Sequence, residues 1–387
     1  MKRKLSKIFA GAAALATAAT LTACGGGGAG ASGDASPGGE PATSSDITVG
    51  VAMPTQTSER WIADGNSVQS GLEAAGFNVN LQFANDDIPT QQQQIDQMIT
   101  QGADVLIVAS IDGTALATQL QAAAEAGIPV IAYDRLIRDT ANVDFYVTFD
   151  NYQVGVDQAT SLLIGLGVLD ADGNETDSTG PYTVELFAGS LDDNNAHFFW
   201  NGAMDTLQPF IDAGTLVVGS GQTSIEQAAT LRWSQETAQR RMEDLITAHY
   251  SGGSGQLDGI LSPFDGISRG IITALQNAGY GPTIGQGMPV VTGQDAEIAS
   301  VALIDQDVQY STIFKDTRLL AEQAVIAAQA FATGNTPEAN NTTDYDNGVK
   351  VVPSFLLQVE TVIRDNIQTV LIDSGFFTAE QVERGQL

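Results

Sequence analysis

Ile47-Thr48-Val49-Gly50-Val51-Ala52-Met53 is a short, nearly continuous apolar run rich in β-branched residues, and together with the segments after it this run decides the fold class. A strand buried on both faces reads this way, whereas a half-exposed strand alternates. A helical pattern over 60–75, ended by Gly76, comes next; a strand over 79–84 and a helix starting near Thr90 succeed it. Residues 105–109 read as a strand, a helix runs to Ala126 and stops at Gly127, and 128–133 closes the series. A second series places helices at 152–165, 195–207, 235–250 and 266–278 and strands at 182–187, 216–219, 259–261 and 289–292. Strand–helix repetition of this kind predicts an α/β protein with parallel sheets, here two open sheets, each wrapped by helices, in two lobes.

Polar residues fall at the carboxyl ends of these strands. Arg60 and Trp61 follow the first, Asp134 and Arg135 follow Tyr133, Asp193 and Asn195 follow Phe187, Asp265 follows Leu261, and Gly293-Gln294-Asp295 follows Thr292. That edge of an open α/β sheet is where ligands bind, because loops and helix amino termini converge there. If the two sheets face one another, these residues line one cleft. Carboxylates accept, Arg and Lys donate, and Asn does both, so such a wall satisfies a neutral molecule dense in hydroxyls. Aromatic faces suit the C–H patches of a sugar ring, and Trp61, Trp200 and Trp233 all lie in or near these loops. A monosaccharide is the natural ligand. Duller roles compete: Asp265 and Asn195 open predicted helices and could cap them, Asp134 and Arg135 could pair with each other at the surface, and Trp200, after Phe198 and Phe199, could pack in the core.

The amino-terminal residues bear on location. Lys2, Arg3, Lys4 and Lys7 precede an alanine-rich apolar run to about Leu21, too short for a membrane span, and Leu21-Thr22-Ala23 leads into Cys24, the only cysteine. This resembles a bacterial lipoprotein signal, with residues 1–23 removed and Cys24 lipidated, and it places the chain outside the cell on the cytoplasmic membrane's outer face. Residues 24–45, rich in Gly, Ala, Ser and Pro, read as a flexible tether. Removing the leader takes four of the 16 basic residues and leaves 12 against 46 acidic ones, a charge near −34. Nucleic acid and acidic membrane surfaces are excluded as partners, so membrane attachment falls to the lipid. Only Lys315 and Lys350 remain as lysines.

Ala132-Tyr133-Asp134-Arg135-Leu136-Ile137, Phe149-Asp150-Asn151 with Val154-Gly155, Asp193-Asn194-Asn195-Ala196, Gly293-Gln294-Asp295-Ala296 and Ile313-Phe314-Lys315 resemble signatures of xylose-binding and multiple-monosaccharide-binding proteins. These are substrate-binding components of sugar ABC importers with the type I periplasmic binding protein fold: two doubly wound parallel-sheet lobes joined by a three-strand hinge. The similarity runs from about Thr48 to the C-terminus. It implies that Arg60, Asp134, Arg135, Asp193, Asn195, Asp295 and Lys315 hold sugar hydroxyls, that Trp61 and Trp233 clamp the ring, and that Asp265 either joins them or serves only its helix. It further implies hinge strands near Phe149 to Asn151, near Ile313 to Lys315 and near Val349 to Pro353, with one lobe of 46–149 completed by 314–348 and the other of 150–313 completed by 349–387. A monomeric receptor with an ABC permease as partner is the implied assembly. Phe264 departs from the pattern, since xylose binders usually carry Asn there, and pentose selectivity is not implied. A sugar-sensing receptor for a signalling partner and a nucleoside- or furanose-binding protein are the alternatives.

Other chemistry is poorly provided for. His197 and His249 lack a metal-ligand partner at useful spacing. The calcium-loop start at Asp170 fails at Glu175 and Pro181. No strand-linked G-x-G-x-x-G turn is present. Neither a cofactor nor an enzymatic activity is expected.

Overall fold

Val49, Val51 and Met53 face one side of the first strand and Ala52 the other, and the two sides lead into separate cores. The computed structural model describes residues 46–251 and 256–387; the leader, Cys24 and the tether lie outside them. β1 (Thr48–Met53), β2 (Asn78–Phe83), β3 (Val105–Val108), β4 (Val130–Tyr133) and β5 (Phe145–Phe149) form one parallel sheet with β11 (Ser354–Leu357), in the order β11-β5-β4-β3-β1-β2. Helices α1 (Glu59–Ala74) and α10 (Thr317–Ala332) cover one face, where Val68, Leu72, Leu320 and Ala324 meet Val49, Val51 and Ile131. On the other face α2 (Ile88–Thr100) and α3 (Ala117–Glu125) press Ile95, Met98 and Leu120 onto Leu106 and Val108. Each such aliphatic side chain contributes about 1.5–3 kcal/mol on full burial, which is why the strands read as unbroken apolar runs.

The second sheet is also parallel. It comprises β6 (Tyr182–Leu186), β7 (Leu216–Val218), β8 (Gly259–Leu261) and β9 (Val290–Val291), in the order β7-β6-β8-β9. α4 (Asn151–Gly165) and α5 (Asn194–Asp212) lie over one face, α7 (Gln235–Leu245) and α8 (Asp265–Asn277) over the other, with the short α6 (Ile225–Ala228) beside them. α4 and α5 approach backbone to backbone. A Cβ on Gly155 would lie 2.0 Å from Phe199 O, and one on Gly202 would lie 2.1 Å from Tyr152 O, so both positions exclude any side chain.

Between the sheets, β10 (Ser311–Phe314) pairs antiparallel with β12 (Glu360–Ile363), and α9 (Ile298–Asp305) and α11 (Ala379–Arg384) pack beside them. The chain leaves the large sheet after Phe149, returns after Phe314, and leaves it again after Leu357. The third crossing follows Ser354–Leu357, which begins where the segment expected as a hinge, Val349 to Pro353, ends. Ser354–Leu357 pairs parallel with Tyr146–Phe149, so this stretch of 349–387 extends the first sheet beyond β5. The helix expected over 235–250 ends as an α-helix at Leu245 and finishes as a π-turn over Ile246–Tyr250.

Candidate ligand-binding cleft

A cavity of about 460 Å³ opens where the carboxyl ends of both sheets meet. Arg60, in the first turn of α1, is its electrostatic centre. Its Nε lies 3.0 Å from Asp64 Oδ2 one turn along the helix, Nη2 bonds Asp134, and Nη1 lies 3.5 Å from Asp295 Oδ1. Lys315, immediately after β10, places Nζ 2.9 Å from the same Asp295 oxygen and 5.6 Å from the ring centres of Phe149 and Phe199. Burial disfavours the guanidinium charge of Arg60, yet Asp134, Asp295 and Asp64 together hold its pKa well above the ordinary value. Burial likewise opposes ionisation of Asp134, but Arg60 and Lys315 outweigh it and leave the carboxyl below its usual range. Asp64 behaves differently: burial pushes it up to about 6 against the pull of Arg60 and the Tyr133 hydroxyl.

Asp134 and Arg135 part company at the end of β4. Asp134 has φ of 60°, a left-handed turn that Asp tolerates, and it sends consecutive side chains in different directions. Asp134 joins Arg60, while Arg135 Nε reaches Asp193 Oδ2 at 3.1 Å. The turn is fastened through the Asp134 carbonyl, which accepts from Tyr146 Oη (2.6 Å), Thr148 Oγ1 (3.0 Å) and Asn195 Nδ2 (2.8 Å). Asp193 caps α5 by accepting from Asn195 N (3.0 Å), so the capping role considered for Asn195 belongs to Asp193. Burial raises the Asp193 pKa, with Arg135 opposing.

The aromatic walls are equally determined. Trp61 is buried, with the guanidinium carbons of Arg60 and Arg135 4.7 and 5.1 Å from its ring centre, a cation–π arrangement that holds both cations in place. Trp233 stands edge-on to Phe199 (6.2 Å) and Phe264 (6.1 Å), on a turn where Arg232 and Trp233 have φ of 56° and 54°. Its buried Nε1 has no hydrogen-bond partner among the described residues. Trp200 packs against the core between α4, α5 and the second sheet.

Arg60, Trp61, Asp134, Arg135, Asp193, Asn195, Trp233, Asp295 and Lys315 thus line one cavity. Asp265 does not. It is fully buried behind the wall, in the first turn of α8, where its carboxylate accepts from Glu297 N (2.8 Å), Gln309 Nε2 (2.9 Å) and Thr312 Oγ1 (3.1 Å). Those donors occupy the oxygens that a ligand would need, and Phe264 rather than Asp265 stands at the N-cap. Gln294, from the strand-end segment expected at the cleft, lines it too, whereas sequence reading missed Phe199, Arg269 and Glu297, which also line the cavity. Glu297 was within reach, because it lies in the same strand-end loop as Asp295. Arg269 had no such signal: it enters only because α8 turns that face inward, where Nη2 meets Glu297 Oε2 at 2.5 Å.

Comparison with known proteins bears on the family and the fold. The family model described as a periplasmic binding protein domain matches residues 49–336. The multiple sugar-binding periplasmic receptor ChvE of Rhizobium radiobacter is 52% identical over 336 residues, covering 87% of this chain and 92% of that one. The D-xylose-binding periplasmic protein of Escherichia coli is 34% identical over 336 residues, covering 87% and 92%. A crystal structure of an ABC transporter solute binding protein from Clostridium phytofermentans with bound β-D-glucose is 42% identical with a TM-score of 0.81, covering 87% of this chain and 99% of that one. On fold, cleft and sequence together, this chain belongs to the periplasmic binding protein family.

Proposed function

We propose that this protein captures a monosaccharide outside the cytoplasm and delivers it to the permease of an ABC sugar importer, closing its lobes over the sugar. One observation carries the reading: the polar wall is assembled from both sheets. The Arg60–Asp295 and Arg135–Asp193 pairs and the Asn195 bond to the Asp134 carbonyl each run from the first sheet's edge to the second's. A ring bound here is held by charged partners on each side, each hydroxyl bond worth about 1.5–3 kcal/mol. Only a closed cleft makes all of them at once, so binding shifts an open–closed equilibrium. The solute-binding family is one of carriers rather than enzymes, and no turnover of the sugar is proposed.

In this reading the first lobe is 46–149 with 314–348 and β11, and the second is 150–313 with the residues after β11. Cys24 carries the lipid that tethers the receptor, which works as a monomer. The ligand residues are the nine of the cleft wall, with Trp61 and Trp233 on the two faces of the ring. D-Glucose is the first candidate, since the Clostridium phytofermentans relative was solved with it. Calorimetric titration against D-glucose, D-galactose, D-xylose, L-arabinose and D-fucose tests the assignment. Saturable binding of at least one sugar, weakened at least tenfold in Asp134→Ala, is expected. Failure of every sugar, or an unchanged affinity in Asp134→Ala, refutes the site. Equal radii of gyration with and without the tight sugar refute closure.

A further inference from the structure

Asp265 has no contact with the cavity, yet it holds together the loop that closes the cavity's far side. Its own N–H donates to Gln294 O (3.0 Å), and its carboxylate accepts from Glu297 N at the other end of that loop, from Thr312 on β10 and from Gln309. The fit allows no other side chain at the loop's start: a Cβ on Gly293 would lie 2.2 Å from Asp265 Oδ1. Within the loop, Asp295 and Ala296 both take positive φ, 88° and 48°, a conformation that non-glycine residues keep only when the surroundings impose it. Two carboxylates leave this strained turn toward the first sheet. Asp295 meets Arg60 and Lys315, and Glu297, braced by Arg269, accepts from Ser58 Oγ at 3.0 Å. Other polar bridges between the sheet edges, such as Arg135 to Asp193 and Asn195 to the Asp134 carbonyl, do not involve this turn.

We infer that Asp265 is a positioning residue for ligand capture: its carboxylate shapes the Gly293-to-Glu297 turn so that Asp295 and Glu297 reach the first lobe. This rests on the proposed reading of the cleft as a sugar site. Asn at this position keeps the shape but replaces one oxygen, which accepts whether or not it carries the proton, by an NH2 that only donates and faces the N–H groups it should receive. The purified full-length protein, Asp265→Asn, Asp295→Asn and the double variant are titrated with the five sugars named above, and thermal unfolding is followed in parallel. Asp265→Asn is expected to weaken sugar binding at least tenfold, and the double variant to fall short of the product of the two single losses by at least threefold, because the two substitutions have the Asp295 contact in common. A merely structural Asp265 would lower the melting temperature and leave the two affinity losses multiplicative. Wild-type affinity in Asp265→Asn, or multiplicative losses, overturns the positioning role while leaving the sugar site standing; wild-type protein that binds none of the sugars overturns both. If Asp265→Asn does not fold, Thr312→Val, which removes one donor to the carboxylate, replaces it in the same cycle with the same criteria.

Discussion

Replacing Arg60 with Met keeps the aliphatic stem against Trp61 and removes the one cation shared by Asp64, Asp134 and Asp295. Lys315 still pairs with Asp295 and acts on Asp134 through space, but Asp64 and Asp134 both lose the guanidinium they are paired with while remaining buried. Breaking a buried pair in this way costs about 3–5 kcal/mol, or about 4–7 °C in melting temperature for a chain of this size. The loss depends on pH. In the wild-type protein Asp134 titrates below its ordinary value, so its pairing stabilises the fold above that value and is lost only as pH falls through the lowered pKa. Asp64 already titrates at about 6 with Arg60 beside it, and rises further once the guanidinium is gone. A carboxyl raised above its unfolded pKa contributes fully at acid pH and loses that contribution as pH climbs through the folded value. The variant's deficit is therefore greatest at pH 8 and shrinks by roughly 2–3 kcal/mol by pH 6, about one proton over two pH units. Urea unfolding followed by tryptophan fluorescence at pH 6, 7 and 8 measures it. A deficit that is constant with pH, or below about 1 kcal/mol at pH 8, would refute the account of Arg60 as the shared counter-ion.

Gly155→Ala drives a methyl group into the Phe199 carbonyl across the α4–α5 contact, and overpacking of this kind lowers stability by about 1–3 kcal/mol in calorimetric unfolding; a neutral result would show that the two helices can separate freely. Trp61→Ala removes the ring that supports Arg60 and Arg135, and titration with the tight sugar should give roughly tenfold weaker binding, about 1.4 kcal/mol; retained affinity excludes Trp61 from the site. Burial, with Glu297 adding to it, pushes Asp265 up to about 8, so the wild-type protein loses the stability contributed by this group as pH rises from about 4 through 8. Asp265→Asn should flatten that decline by up to about 1.4 kcal/mol per pH unit; identical pH slopes for the two proteins would mean the carboxyl is already ionised in the folded state.

Much of the architecture was legible because burial on both faces is a local signal. A strand between two helix layers must be apolar at every position, and the runs at 47–53, 105–109, 128–133 and 259–261 reappear as β1, β3, β4 and β8 with their ends moved by a residue or two. The strand-end rule then located the cleft, since any polar group at that edge is carried toward the ligand side whatever its identity. β5 and β11 were harder to read: Ser354–Leu357 is short and half-exposed on one side of the sheet edge, and its pairing with β5 depends on a partner about two hundred positions earlier in the chain.

Which strand-end residues meet was decided by the folded chain alone. Asp134 and Arg135 are neighbours in sequence and invite pairing, yet a left-handed turn separates them, and Asp134 finds Arg60 74 positions away while Arg135 finds Asp193. Asp265 satisfies the same positional rule as Asp295, but three donors from other segments consume its carboxylate and keep it behind the wall. The amino-acid order determined the layers, the lobes' alternation and the edge on which chemistry gathers, because those depend on periodicity and burial along a single segment. The partners within that edge depended on turn handedness and on competition among donors and acceptors brought together from distant segments, and no local pattern encodes either.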